Sequence, residues 1–289
     1  MEKKFNVAGH IFSLKMRDES PMWQRLDNYT PFITEEGEPI FSLKVVKELS
    51  SKNKNQLLIS GDAVPEMPRI DLYQEEDGGK WIEIAPLATM EPCGFIRISK
   101  DYTQGEIQIK NNPKFCIDNS LMIMYAFRTV TLRTLEMHSS VTVHEGKAYM
   151  FLGHSGAGKS THSRMWLENI PDSFLLNDDN PILRILDNKE VRVYGSPWSG
   201  KTPCYKNLSA PVQATISIVQ APHNSIRRFS TMEAFSALHS SISGYWGDEE
   251  MVDNLCSTIS DFISSIKHFE LKCLADADAA RLSLKTANK

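Results

Sequence analysis

The sequence predicts an α/β protein with a β-rich N-terminal subdomain, residues 1–116, followed by an α/β domain, residues 117–289. Two observations support this prediction. Short alternating or apolar segments separated by turn residues fill the first part, and such segments are typical of strands. In the second part, apolar strand segments alternate with segments of helical periodicity, which is the pattern of an α/β fold.

The N-terminal part contains two predicted hairpins. Residues 69–73 and 80–84 alternate apolar and polar side chains on either side of an acidic turn that ends in Gly78-Gly79. Residues 94–99 and 105–110 repeat this alternation around a second turn. We therefore expect an antiparallel β-rich subdomain that carries no catalytic motif of its own.

The C-terminal part begins with residues 119–134, which are apolar at helical spacing and predict a helix. The expected strands that follow are residues 136–143, 147–152, 173–177, 183–186, 190–194, 214–220 and 267–271. The expected helices are residues 161–170, 231–243, 249–266 and 275–284.

Composition excludes several classes of protein. The 289 residues are 41% hydrophobic and 24% charged, with a net charge of −4, so no basic footprint indicates a nucleic-acid partner. The five cysteines are far apart and form no C-x-x-C pair, which favours free thiols over a disulfide framework or a zinc site. The most apolar stretch, residues 121–127, is too short for a membrane span. We expect no membrane partner and a cytoplasmic location.

The clearest motif is Gly-His-Ser-Gly-Ala-Gly-Lys-Ser at residues 153–160, which fits the phosphate-binding pattern G-x-x-x-x-G-K-[ST]. Its glycines allow backbone N–H groups to face an anion, its lysine reaches the outer phosphates, and its last serine can bind Mg²⁺. A predicted strand before the motif and a predicted helix after it provide the required context. The alternative is a glycine-rich turn that binds nothing. The candidate nucleotide-binding residues are Gly153, Ser155, Gly156, Ala157, Gly158, Lys159, Ser160 and Thr161.

A second signal is the carboxylate pair Asp178-Asp179 at the end of the apolar segment that follows the motif. One carboxylate of such a pair can bind Mg²⁺ together with Ser160, while the other accepts a proton from an attacking hydroxyl. We assign the metal to Asp178 and the proton to Asp179. The alternative is a strand-end turn, where Asp is common.

His138 is a third candidate, because it lies on the predicted strand before the one that leads into the motif. Its alternative is a hydrogen-bonded structural histidine. Trp198 and Lys201 could line the acceptor side of a cleft, although a tryptophan in a loop is more often a packed anchor.

Residues 151–186, with His138 upstream and residues 195–201 downstream, resemble the catalytic domain of HPr kinase/phosphorylase, which shares its fold with ATP-dependent phosphoenolpyruvate carboxykinase. The chain is more similar still to bacterial HPr kinase-like proteins of poorly defined function, which carry H-A-S, a D-D strand, G-[ST]-P-W and A-P-x-x-A. Here these motifs read His138-Ser139-Ser140, Asp178-Asp179, Gly195-Ser196-Pro197-Trp198 and Ala210-Pro211-Val212-Gln213-Ala214. The chain departs from HPr kinase/phosphorylase at Thr161, where that family has Glu, and it lacks the family's phosphorylase signature.

The resemblance implies a P-loop kinase fold, ATP and Mg²⁺ as cofactors, and transfer of the γ-phosphate to a hydroxyl acceptor such as serine, free or within a peptide or protein. It implies catalytic roles for Asp179, Asp178, His138 and Lys159, and the fold it implies permits assembly into a homo-oligomer. Two alternatives remain at this point. One is a nucleotide-binding regulator without transfer activity, and the other is a carboxykinase-like enzyme that acts on a small acid.

Overall fold

The protein is of mixed α/β class and divides into two compact units, Met1–Thr129 and Val130–Lys289. The computed structural model describes residues 1–50, 54–61, 68–86, 89, 91–200, 202–243 and 249–289. Each unit is built on one large mixed sheet. The division falls later in the chain than residue 116, because the helix expected at the start of the second part belongs to the first unit.

The first unit contains, in its described part, a nine-stranded sheet of β1 (Glu2–Val7), β2 (His10–Lys15), β3 (Ile33–Thr34), β4 (Phe41–Val46), β5 (Lys54–Ile59), β6 (Arg69–Glu75), β7 (Lys80–Ala85), β8 (Gly94–Ile98) and β9 (Gln104–Ile109). The strand order is β3-β1-β2-β4-β9-β8-β7-β6-β5. Both expected hairpins, β6–β7 and β8–β9, are confirmed.

The expectation of a purely antiparallel subdomain is wrong, because β4 pairs parallel with both β2 and β9. A long connection that contains two short 3₁₀ helices, Pro21–Arg25 and Asp27–Phe32, separates β2 from β4. A connection of this length lets the chain cross over and return in the same direction, which a tight turn does not permit.

Helix α1 (Pro113–Thr129) covers this sheet and begins earlier than the sequence indicates. Its buried face includes Leu121 and Met124. A Cβ atom on Gly105 of β9 would lie 2.4 Å from Met124 Sδ, so the absence of a side chain there permits the close approach of helix and sheet. Each large apolar side chain that this contact buries contributes about 1.5–3 kcal/mol.

The second unit contains β10 (Thr134–Met137), β11 (Ser139–His144), β12 (Lys147–Leu152), β13 (Phe174–Asp179), β14 (Ile182–Ile185), β15 (Val191–Tyr194), β16 (Ser209–Gln220), β17 (Ser225–Arg228), β18 (Ile242–Ser243) and β19 (Lys267–Cys273). Its helices are α2 (Lys159–Asn169), α3 (Thr231–His239), α4 (Glu249–Ser265) and α5 (Ala277–Ala287). The described strands order as β13-β11-β12-β16-β15-β14-β10-β18, with β19 paired to β16 and β17 to β19.

The core of this unit lies where β12, β16 and β19 run parallel and α2 and α5 pack against them. Phe151, Trp166, Ile216 and Leu271 are among its fully buried side chains. Because β12 is central and its residues 148–152 are buried, its C-terminal end is held firmly. The glycine-rich motif begins directly after that end, so the core positions it.

One expected strand, residues 136–143, is in fact two strands that separate at His138. Strand β10 pairs with β14 and β18, whereas β11 pairs with β12 and β13. The His138 N–H donates instead to the carbonyl of Ser241, at 2.6 Å. Both halves have a strand pattern, so only the change of partners reveals the break.

Candidate functional site

The glycine-rich loop, residues 153–158, connects β12 to α2, and its glycines are required by backbone geometry. Gly153, Gly156 and Gly158 have φ angles of +141°, +77° and +107°, which L side chains rarely adopt. A Cβ atom on Gly153 would also lie 2.9 Å from the Ala157 Cβ atom. The order strand, loop, helix expected from the sequence is confirmed.

Lys159, the first residue of α2, bends its side chain back over the loop. Its ammonium donates hydrogen bonds to the carbonyls of Gly153, at 2.9 Å, and His154, at 3.2 Å. Burial lowers the pKa of Lys159, and the charges of Asp179 and Asp178 oppose this shift. The lysine is therefore a cation at the rim of the loop, held by two carbonyls that an incoming anion could replace.

The first turn of α2 adds further anion-binding groups. Ser160 is exposed there, and Thr161 follows it. The first N–H groups of a helix have no intrahelical acceptor, and the helix dipole is positive at this end. The structure thus gathers every residue of the predicted nucleotide-binding set into one loop and one helix start.

Gln220, at the end of β16, is a site residue that sequence reasoning missed. Its side-chain amide donates to the carbonyl of Gly156 at 3.0 Å. This bond attaches the outer part of the glycine-rich loop to the central sheet. A glutamine at a strand end carries no sequence signal, because the contact depends on the parallel pairing of β16 with β12.

The carboxylate pair lies at the C-terminal end of β13. On the neighbouring strand β11, Ser140 is the register partner of Asp178 and Ser139 that of Asp179. Asp178 is 6% exposed, whereas Asp179 is only partly buried. Gly200 donates its N–H to the Asp178 carbonyl at 2.7 Å. The pair is therefore clamped between β11 and the loop that precedes residue 201.

His138 lies beside the second carboxylate, with 3.4 Å between its Nε2 atom and Asp179 Oδ1. Burial and the charge of Lys159 lower the pKa of His138, while Asp179 acts in the opposite direction. Burial also raises the pKa of Asp179, against the charges of His138 and Lys159. The break between β10 and β11 brings the histidine to this position.

Glu136 is a second residue that the sequence did not single out. It is 1% exposed, and neither carboxylate oxygen has a hydrogen-bond partner of normal geometry. Burial first, and then the charge of Asp179, raise its pKa to about 8, which Ser243 opposes weakly. A carboxylate without a partner in a strand interior is unusual, since such groups are normally paired.

Trp198 and Lys201 were the two candidates expected to line the acceptor side of a cleft. Trp198 is 3% exposed, and its carbonyl accepts a hydrogen bond from Asn177 Nδ2 at 3.1 Å, so it is a packed loop anchor. Lys201 lies outside the described residues.

Metal-binding and membrane-spanning features are limited in the described part of the chain. Among the described residues, no group of three His, Cys, Asp or Glu side chains could hold a metal by itself, and no helix is long and apolar enough to cross a membrane. A metal at this site would therefore need further oxygen ligands from a bound molecule. No family model matches the chain, and no curated protein is detectably similar to it.

Proposed function

We propose that this protein is a kinase that transfers the γ-phosphate of ATP, with Mg²⁺, to a hydroxyl acceptor of the serine type. The observation that carries the proposal is that Lys159 lies close enough to Asp178 and Asp179 for their charges to interact, while His138 Nε2 lies 3.4 Å from Asp179 Oδ1. Groups that bind phosphate, bind metal and accept protons thus lie together. The motif resemblance to HPr kinase-like proteins supports the same reading.

The glycine-rich loop fits a polyphosphate. A Cβ atom on Gly156 would meet no atom within 4 Å, so the outer face of the loop is open to a ligand. Ser160 and Asp178 supply the kind of oxygen donors that Mg²⁺ prefers. When bound, Mg²⁺–ATP supplies an activated phosphoryl group.

Each residue of the site then has a separate role in the transfer. Lys159 stabilises the negative charge that accumulates on the phosphates, and Asp178 holds the metal side of the site. Asp179 is placed to accept the proton that the acceptor hydroxyl loses, with His138 fixed beside it. Because β13 and the clamping loop hold both carboxylates, the acceptor meets preorganised groups.

The test is incubation with labelled ATP, Mg²⁺ and a panel of hydroxyl compounds and serine peptides, in which transfer is scored separately from hydrolysis. We expect transfer to at least one acceptor and none in Lys159→Ala. The matched control is Lys147→Ala, since Lys147 is exposed at the start of β12. Nucleotide binding without any transfer would instead support a regulator, which is the reading that the intact carboxylate pair disfavours.

A further inference from the structure

The environment of Glu136 indicates the chemical class of the acceptor, and this inference rests on the proposed function. Both of its carboxylate oxygens are shielded from water and lack a hydrogen-bond partner. A buried carboxyl group whose oxygens make no hydrogen bonds carries a free-energy cost in either protonation state. A leucine or methionine would fill the same space on β10 without that cost, so the carboxyl group requires an explanation.

The position of Glu136 connects it to the candidate site. It lies two residues before His138, and the charge of Asp179 acts on it directly. Glu136 thus lies on the strand that leads to His138, close enough to Asp179 for the two charges to interact.

The charge balance in this region favours a positively charged ligand. Asp178, Asp179 and Glu136 supply three carboxyl groups, and burial keeps Glu136 protonated up to its pKa of about 8 while no cation among the described residues pairs with it. The Lys159 ammonium donates to two carbonyls of the loop. Burial lowers the pKa of His138, which disfavours its charged form. A further metal ion is a poor match, because no three ligating side chains meet in the described structure.

We propose that Glu136 binds the ammonium group of the acceptor, and that the acceptor is a small amino alcohol such as free serine or ethanolamine. A bound ammonium group would favour the ionised form of Glu136 and give it charge-assisted hydrogen bonds that it lacks in the protein alone. Contact requires side chains over Glu136 to change rotamer, as interface side chains commonly do on binding. In the transfer, the acceptor oxygen gains the phosphoryl group, ADP leaves, and the hydroxyl proton passes to Asp179.

The experiment compares acceptors that differ only in the amine. L-serine is paired with 3-hydroxypropanoate, ethanolamine with ethanol, and N-acetylserine represents an acylated amine. On the intact protein, we expect the amine compounds to have the higher kcat/KM in each pair. This comparison needs no variant, so it tests the proposal whether or not a variant folds.

The variant Glu136→Gln keeps the shape of the side chain and removes its charge. We expect it to lower kcat/KM for serine or ethanolamine about 10- to 100-fold, which is the range for loss of a hydrogen bond to a charged group. The KM for ATP should stay unchanged. Calorimetric titration of serine in the presence of Mg²⁺ and a non-hydrolysable ATP analogue should show the same loss of affinity. The matched control is Glu168→Gln on α2, where the side chain is exposed.

Two results separate this inference from the proposed function. Equal use of 3-hydroxypropanoate and serine, or an unchanged acceptor preference in Glu136→Gln, would overturn the role of Glu136 and leave the kinase assignment intact. Nucleotide binding without transfer to any acceptor would overturn the kinase assignment and this inference with it.

Discussion

At the scale of single residues, Lys159 is the group on which nucleotide binding should depend most. We expect ATP or ADP with Mg²⁺ to stabilise the fold, by about 2.7 kcal/mol when ligand is present at about a hundred times its dissociation constant. Lys159→Ala should remove most of this gain without unfolding the protein alone, whereas Lys147→Ala should keep it. Thermal melting with and without nucleotide measures the effect. If the intact protein gains no stability from any nucleotide, both the kinase and the regulator are excluded.

The two neighbouring aspartates should be separable by substitution. Asp178→Asn should weaken Mg²⁺–nucleotide binding as well as the rate, because the metal loses a ligand. Asp179→Asn should slow transfer by about 10²–10⁴-fold and leave nucleotide affinity nearly unchanged, because a general base acts when the proton leaves. The control is Asp187→Asn in the exposed β14–β15 turn. Transfer at the normal rate in both site variants would show that the assigned mechanism is wrong.

Glu136 should also make folding stability depend on pH. Its pKa rises from 4.5 to about 8 on folding, so the native state binds more protons than the unfolded state between these values. The contribution of Glu136 to stability is therefore lost as pH rises through this window and stays low above it. Urea unfolding should show that Glu136→Gln gains stability relative to the parent between pH 5 and pH 9, whereas Glu168→Gln does not. The same difference in unfolding free energy between Glu136→Gln and the parent protein at pH 5 and at pH 9 would contradict this prediction.

At the scale of elements, the glycine-rich loop sets strict steric limits. Gly153→Ala adds a methyl group that would lie 2.9 Å from the Ala157 Cβ atom, at a φ of +141°. Overpacking of this kind costs about 1–3 kcal/mol, and we expect nucleotide binding to weaken as well. Gly146→Ala is the matched control, since Gly146 has a φ of +73° with nothing within 4 Å. Equal loss of stability in the two variants would show that backbone strain alone is responsible.

The hydrogen bond between Gln220 of β16 and the glycine-rich loop leads to a separate prediction. Gln220→Ala removes the hydrogen bond to Gly156, and a typical bond of this kind contributes about 0.5–1.5 kcal/mol. We expect the KM for ATP to rise about 2- to 10-fold, with a smaller change in kcat, because the loop loses its anchor. Gln213→Ala is the control, since Gln213 lies on the same strand and bonds to Ala287 instead. A KM that changes equally in both variants would assign the effect to the strand rather than to the loop.

Local patterns predicted most elements of the second unit, because strand, loop and helix there follow one another with clear periodicity. They also identified the loop residues, the aspartate pair and His138 as candidates. Local patterns did not predict the features that depend on which strands and helices contact one another. The separation of β10 from β11 at His138 and the helix limits Pro113–Thr129 depend on contacts that no local pattern contains.

At the scale of the whole molecule, the sequence by itself determined the mixed α/β class of the protein and the position of the glycine-rich loop along the chain. Turn residues, alternation and the glycine motif are local features, and they specify β-rich and α/β parts and the loop between β12 and α2. The five cysteines are free in the structure, as their wide spacing in the sequence predicted.

Only the tertiary structure decided which distant residues meet. The parallel placement of β4, the attachment of Gln220 to Gly156 and the burial of Glu136 near Asp179 all arise from pairing between segments far apart in the chain. The physical reason is that non-local pairing is set by the packing of whole sheets and helices. A residue such as Glu136 has the same local signal in a solvated strand as in a buried one, and only its neighbours distinguish the two.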